Sequence, residues 1–388
     1  MRSPMRIVIA PTGFKECLDA DAVASAIRVG ARRAVPDAVT DTVPLVDGGE
    51  GSARLLAEST GGTLVPAHVT GPVGDRVPSH FAMLGGSSRG TAFVEMAAAA
   101  GLALVPSDQR DPGRTTSRGV GELIAAALDS GAERIVVGCG DSGICDGGAG
   151  ALQALGTRVL DAAGTEIGPG GNEVARARTL DRRALHPRLA EVGVVVATNP
   201  ANVLCGPHGV ARVFGTQKGA SNAGVEVLAD AMRRWSALLH EHCGVDLGHQ
   251  SGSGASGGLG AGLAGVLGAR LASRFDVLLD TSDLDRRLAD ADLVITGEGA
   301  IDASTARGKI PAEVARRAKA YGKPVIAVAG TIGAGADSSY ETGIDAFTGI
   351  VDGPVALADA IRGAPELIAS ATARTLRMLS VGRTLRAA

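Results

Sequence analysis

Lysine is scarce in this 388-residue chain, with five residues against 33 arginines. Gly and Ala are abundant, so the ratio suggests a base-composition bias that replaces Lys wherever a generic cation will do. The few lysines that remain therefore carry information, and three of them, Lys15, Lys218 and Lys309, stand in glycine-bearing loops. Cysteine is sparse and scattered. The five residues Cys17, Cys139, Cys145, Cys205 and Cys243 form no C-x-x-C pair, which speaks against a disulfide framework or a zinc site. Neither sign of charge dominates: charged residues make up 20% and the net charge is −3. That balance excludes a nucleic-acid partner and a membrane surface, while a local field can still suit an acidic small molecule. No uncharged run is long and apolar enough to span a bilayer, and the apolar run in "MRSPMRIVIAPTG" is too short for a secretory signal, so a cytoplasmic location is expected. No His lies near Ser142 to build a hydrolytic triad. A Walker A loop is also missing, because Gly308-Lys309 is followed by Ile and lacks the upstream glycine.

The length favours two domains. "RIVIA" (6–10), a Pro/Gly loop and a helix behind Asp19 are followed by the strand "VTDTVPL", the loop "DGGEG" and the helix "SARLLAEST". This βαβα opening predicts a parallel sheet. From about residue 70 short runs with turn residues predict a mixed sheet. There follow a helix over 118–129, strands over 134–138 and 193–198, and a long helix over 222–243. The stretch 251–271 reads as a glycine-rich loop leading into a tightly packed helix. Clean βα alternation then returns from "FDVLLD" onward. The simplest arrangement is one discontinuous α/β domain, 1–70 with 275–388, into which a second α/β domain, 71–274, is inserted.

Loops that follow parallel strands are where ligands are met. The triplet Asp-Gly-Gly occurs in two of them, at 47–49 and at 146–148. Glycines there can bare backbone amides to a phosphate, while carboxylates hold a cation or accept a hydroxyl proton. Lysines, carboxylates and glycine loops together point to phosphoryl transfer, a chemistry of positioning and charge neutralisation. Each feature has a plainer reading: Asp-Gly is a common turn dipeptide, and Glu298 and Asp302 can be capping residues. A rival reading is a nicotinamide fold, since Gly138, Gly140 and Gly143 spell G-x-G-x-x-G after a strand, with Asp161 beyond them. Against it, Gly147 and Gly148 fall where that motif's helix should run.

The segments "IVIAPTGFKECL", "VPLVDGGEG", "CDGGAGALQALG", "VFGTQKGAS", "GASGGLGAGL" and "LVITGEGAIDASTARGKIP" together resemble, in order and spacing, the bacterial glycerate 2-kinases, the type I glycerate kinases. The resemblance implies an α/β fold with a Rossmann-like parallel-sheet domain, an inserted second α/β domain and an interdomain cleft. It implies ATP- and Mg2+-dependent phosphorylation of D-glycerate to 2-phosphoglycerate, or of a related hydroxy acid or alcohol, and leaves a homodimer open. A homologue that only binds a metabolite is the alternative. On this resemblance the catalytic candidates are Lys15, Asp47, Asp146, Lys218 and Asp302, with Asp47 or Asp146 accepting the hydroxyl proton. Substrate contacts fall to Glu50, Asp141, Ser142, Asn199, Asn202 and Arg307. Cofactor contacts fall to Gly48, Gly49, Gly257, Gly258, Gly297 and Lys309, and Glu298 with Asp302 would orient Mg2+.

The chain also departs from the pattern of that family. The family usually reads P-D-S-F-K where Pro11-Thr12-Gly13-Phe14-Lys15 stands, and G-G-S-A-T-N-D-G-G where this chain reads "GDSGICDGG". Asn199 replaces an Asp, Ala300 stands where Arg is common, and Arg307 where His is common. The stretch Asp141 to Cys145 is therefore the expected place for altered substrate contacts.

Overall fold

A computed structural model describes residues 4–14, 17–279 and 283–387. In chain order the strands are β1 (Arg6–Ile9), β2 (Val39–Thr42), β3 (Thr63–Thr70), β4 (Arg76–Met83), β5 (Thr91–Glu95), β6 (Arg134–Gly138), β7 (Arg158–Leu160), β8 (Thr179–Asp181), β9 (Gly193–Thr198), β10 (Arg270–Ser273), β11 (Leu293–Ile301), β12 (Val325–Ile332) and β13 (Ala346–Gly349). The chain folds as two compact units, Met1–Asp47 with Leu278–Ala388, and Gly48–Val277.

The first unit carries a five-stranded sheet of order β13-β12-β11-β1-β2, parallel at every pairing. Its inner strand β1 is an apolar run, as a strand buried on both faces of a parallel sheet requires: after the exposed Arg6, the residues Ile7, Val8 and Ile9 are all buried, whereas the edge strand β2 reads Val-Thr-Asp-Thr and buries none fully. The helix Ala20–Ala34 starts at Asp19, whose side chain accepts from the Ala22 amide, and buries Val23 and Ile27. These two side chains share a core with Ile7, Ile9, Ile295, Val328 and Ile368.

In the second unit the six-stranded sheet has the order β10-β9-β6-β5-β4-β3. Its pairings are parallel from β10 to β5 and antiparallel on to β3, the mixed sheet that the sequence predicts. Trp235, on the helix Asn222–Cys243, is fully buried in its core and donates through Nε1 to the Gly147 carbonyl at 2.9 Å, and the helix Arg118–Asp129 adds Leu123, Ile124 and Leu128 to the same core. Both helices lie where the periodicity places them.

Two expectations need correction. The first boundary falls between Asp47 and Gly48 rather than near residue 70, because β3 pairs along its whole length with β4 and so draws the chain from Gly48 onward into the second unit. "FDVLLD" does not begin a strand. Gly268, in the left-handed region, ends the preceding helix, and the chain pairs at once with β9 through Arg270–Ser273. Phe275–Leu279 then forms a π-helical turn that buries Phe275, Leu278 and Leu279. A short apolar run fits either conformation by periodicity alone.

Candidate active site

Because β5, β6 and β9 run parallel in the second unit, Glu95, Gly138 and Thr198 end at one edge of its sheet. The loop after β6 holds Asp141 and Ser142. Asp141 has φ +52, one of three non-glycine residues in the left-handed region among those described. Asp tolerates that conformation better than most residues, and the geometry explains why glycine suits the position. Its carbonyl accepts the Leu102 amide at 2.8 Å, and its carboxylate accepts the amide of Glu50 at 3.3 Å. Lys218, 3% exposed, fastens the same loop from below, donating to Ser142 Oγ at 2.8 Å and to the Ile144 carbonyl at 2.7 Å. Burial lowers the pKa of this ammonium to about 8.

Asp146 is 1% exposed. Its carboxylate accepts from the Ser117 amide (2.7 Å), Ser117 Oγ (2.8 Å), and the amides of Gly148 (3.1 Å) and Gly150 (3.3 Å). Burial raises its pKa against the pull of these donors. Three of these donors go to Oδ2 and only the Gly148 amide to Oδ1, so the carboxylate anchors the start of the helix Ala149–Ala154. The turn Ser256-Gly257-Gly258 lies against the same loop, with the Gly257 carbonyl accepting the Gly147 amide at 2.9 Å. A Cβ on Gly257 would come within 2.1 Å of the Ile144 carbonyl, so these glycines serve backbone packing. The same holds for Gly48 and Gly49: a Cβ on Gly138 would meet the Gly48 carbonyl at 2.8 Å, and one on Gly140 the Gly49 Cα at 2.6 Å.

That packing also accounts for the apparent dinucleotide motif, whose first two glycines meet protein backbone. Asp161 caps its own turn, accepting from the amides of Ala163 and Thr165. Cys139 and Cys145 are buried, and burial pushes their thiols up to about 12 and about 11, so they act as apolar fillers. Asn199 Oδ1 accepts the Ala201 amide, and the Asn202 carbonyl accepts the Gly254 amide, which ties this loop to the one before Ser256.

The largest omission from the sequence reading is Glu95. It is 2% exposed, and its two oxygens accept the amides of Gly51 (3.1 Å) and Ala53 (2.9 Å). Burial, reinforced by the charges of Glu50 and Asp141, lifts its pKa to about 7. The available signal was an acid closing the otherwise apolar run "TAFVE".

A separate cluster is built in the first unit at the end of β11. Glu298, 7% exposed, accepts from Thr305 Oγ1 at 2.7 Å and lies 3.2 Å from Lys309 Nζ. Lys309 stands 3.6 Å from Asp302 and donates to the Ala300 carbonyl at 3.0 Å. Burial raises the pKa of Glu298, while hydrogen bonds from Ser304 hold that of Asp302 low. The Gly297 carbonyl accepts both the amide and the hydroxyl of Thr12, fixing the loop after β1. Asp47 closes this unit's first segment and is half-buried. Arg307 belongs to the turn Thr305–Arg307, and Lys15 lies outside the described residues. Among the described residues no three His, Cys, Asp or Glu side chains are grouped to hold a metal ion, and no helix is long and apolar enough to cross a membrane.

The model of the glycerate kinase family matches residues 7–380. The chain is 44% identical over 362 residues to a glycerate kinase of Bacillus subtilis, covering 93% of this chain and 94% of that one. It is 43% identical over 378 residues to a glycerate 2-kinase of Escherichia coli, covering 97% and 99%. A crystal structure from Salmonella typhimurium, assigned provisionally to glycerate kinase 2, superposes with a TM-score of 0.82 at 42% identity, covering 98% of this chain and all of that one.

Proposed function

The chain belongs to the glycerate kinase family, and from that premise we propose that it transfers the terminal phosphoryl group of ATP to a hydroxyl of D-glycerate, giving 2-phosphoglycerate. The observation that carries the reading is the match across residues 7–380, which takes in every loop described above. As a phosphotransferase with an alcohol acceptor it needs a positioned cation, a proton acceptor and partners for the acceptor's hydroxyls.

Lys309 is the positioned cation. Glu298 and Asp302 hold its ammonium between them, and an ammonium so placed meets a phosphate as a point charge. Asp47, half-buried at the end of its unit's first segment, is assigned the hydroxyl proton, and Asp146, buried and bonded to Ser117, Gly148 and Gly150, the support of its helix. Glu50, exposed in the turn before the helix Ser52–Thr60, and Asp141, half-buried in the loop after β6, accept hydrogen bonds from acceptor hydroxyls. Arg307 and Lys15 are assigned to the substrate carboxylate by charge. Ser142 and Lys218 act through the loop they fasten.

Glu298 and Asp302 are donors that suit Mg2+, which takes one or two carboxylates and completes its octahedron with water and substrate phosphates. They would hold the ion near Lys309, whose Nζ lies 3.2 Å and 3.6 Å from them, and the ion would neutralise charge on the transferring phosphoryl group.

Substrate-dependent ADP release, measured over a panel of C3 to C6 hydroxy acids and alcohols, tests the function. Turnover is expected to be highest with D-glycerate, with phosphate on the 2-hydroxyl by phosphorus NMR. A higher kcat/KM for another acceptor would overturn the substrate, and product formation without ADP release would overturn the reaction class.

A further inference from the structure

The helix Ser52–Thr60 begins in a glycine-rich turn with Gly51 in the left-handed region and no side-chain cap of its own. A turn of that kind before a helix is where a phosphate is usually received. Here the anions come from the chain itself. Glu95, at the end of β5, takes the amides of Gly51 and Ala53, and Asp141, in the loop after β6, takes the amide of Glu50. The two acids reach the turn from neighbouring strands, since Glu95 pairs in register with Gly138.

We propose that Glu95 and Asp141 form an internal latch that closes this turn to phosphate and fixes the backbone of the exposed Glu50 for acceptor binding. Glu95 is then a positioning residue for the acceptor. This deepens the proposed function and rests on it for the part played by Glu50.

Three features support the latch. Glu95 is buried and has both oxygens engaged, so its contacts are organised rather than incidental to a solvated surface. The Asp141 segment is pinned on both sides, its carbonyl by the Leu102 amide and the Gly143 amide by the Ala100 carbonyl at 2.9 Å. Backbone packing of Gly48 and Gly49 on Gly138 and Gly140 leaves the turn no room to slide toward the sheet.

The test has a kinetic arm and an arm independent of turnover. Glu95→Gln keeps the side chain's size but replaces one acceptor oxygen with a donor facing an amide. Assayed at pH 8, where Glu95 is ionised, it should raise KM for D-glycerate about tenfold, the order of one charge-assisted hydrogen bond, with kcat and KM for ATP changed far less. In a double-mutant cycle with Glu50→Gln the two effects should be non-additive. Additive effects, or a rise in KM for ATP instead, would overturn the positioning role. The second arm follows amide hydrogen exchange over residues 48–53 in the whole chain. Exchange should speed up in Glu95→Gln while the β6 amides stay as protected as before; unchanged exchange in the turn would overturn the latch. If the wild-type chain does not turn over D-glycerate, the proposed function fails by itself, and the exchange arm still decides the latch.

Discussion

The chain writes Asp-Gly-Gly twice and uses it in two ways. Each triplet precedes a short helix whose start carries a left-handed glycine, Gly51 for one and Gly148 for the other. Both helix starts are met by buried carboxylate. At the second copy the triplet's own acid does this: Asp146 accepts the amides of Gly148 and Gly150 and is locked to Ser117. At the first copy the acid comes from elsewhere, since Glu95 takes the helix amides, and Asp47 belongs to the other compact unit. Identical letters thus hide a division of labour: one Asp holds a helix, and the other is the residue we assign to the chemistry.

The sharpest way to break that comparison is Asp47→Asn. A proton acceptor contributes about 10²- to 10⁴-fold, so kcat for D-glycerate should fall by at least a hundredfold while thermal stability stays near that of the wild-type chain. An unchanged kcat, or a stability loss as large as that of an Asp146 variant, would sink the assignment.

Asp146→Ala should act on stability instead. It strands the buried donors of Ser117, Gly148 and Gly150, and buried unsatisfied groups cost about 1–3 kcal/mol each before relaxation. A loss of about 3 kcal/mol or more in urea unfolding is expected, together with lost activity. A midpoint within experimental error of the wild type would show that the anchor is dispensable.

How much of this was legible beforehand differs between fold and site. Strands β6 and β9 and the helices Arg118–Asp129 and Asn222–Cys243 are bounded as the sequence implies, because long periodic segments and apolar β-branched runs state their own partners. The loops were recognisable as important, but their internal roles were not. Lys218 stands in a glycine loop like Lys309, yet one is buried under a backbone carbonyl and the other lies between two acids. Glu95 was invisible because nothing local marks an acid at a strand end as the cap of a helix that begins more than forty residues earlier. The glycines of the false dinucleotide motif were readable only as a spacing, whereas their reason is the backbone of Gly48 and Gly49 against them.

The contrast between the two helix starts also has a pH signature. Burial, first, then the charges of Glu50 and Asp141, lift the pKa of Glu95 to about 7, with the amides of Ala53 and Gly51 pulling the other way. The folded chain thus holds a proton that the unfolded chain has already released above the ordinary carboxylate range. Its contribution to stability is full below about pH 4.5, falls as pH rises toward 7 and is flat beyond, by at most on the order of 3 kcal/mol. Subtracting the unfolding free energy of Glu95→Gln from that of the wild type at several pH values isolates this slope. No difference between pH 5 and pH 8 would contradict it.

The smallest effect is expected at Asp141→Gly, the residue that the family pattern itself suggests. Glycine removes the strain of φ +52, a gain of about 1 kcal/mol or less because Asp is among the side chains that bear this conformation best. It also removes the acceptor of the Glu50 amide, which at 3.3 Å on an exposed turn is worth a similar amount. The two terms oppose, so unfolding should shift by less than about 1 kcal/mol in either direction. The larger consequence falls on binding, where losing half of the latch and one acceptor of substrate hydroxyls should raise KM for D-glycerate more than KM for ATP. A lowered KM with unchanged stability would mean that Asp141 obstructs the acceptor, and would move the preferred substrate toward one that this carboxylate suits better.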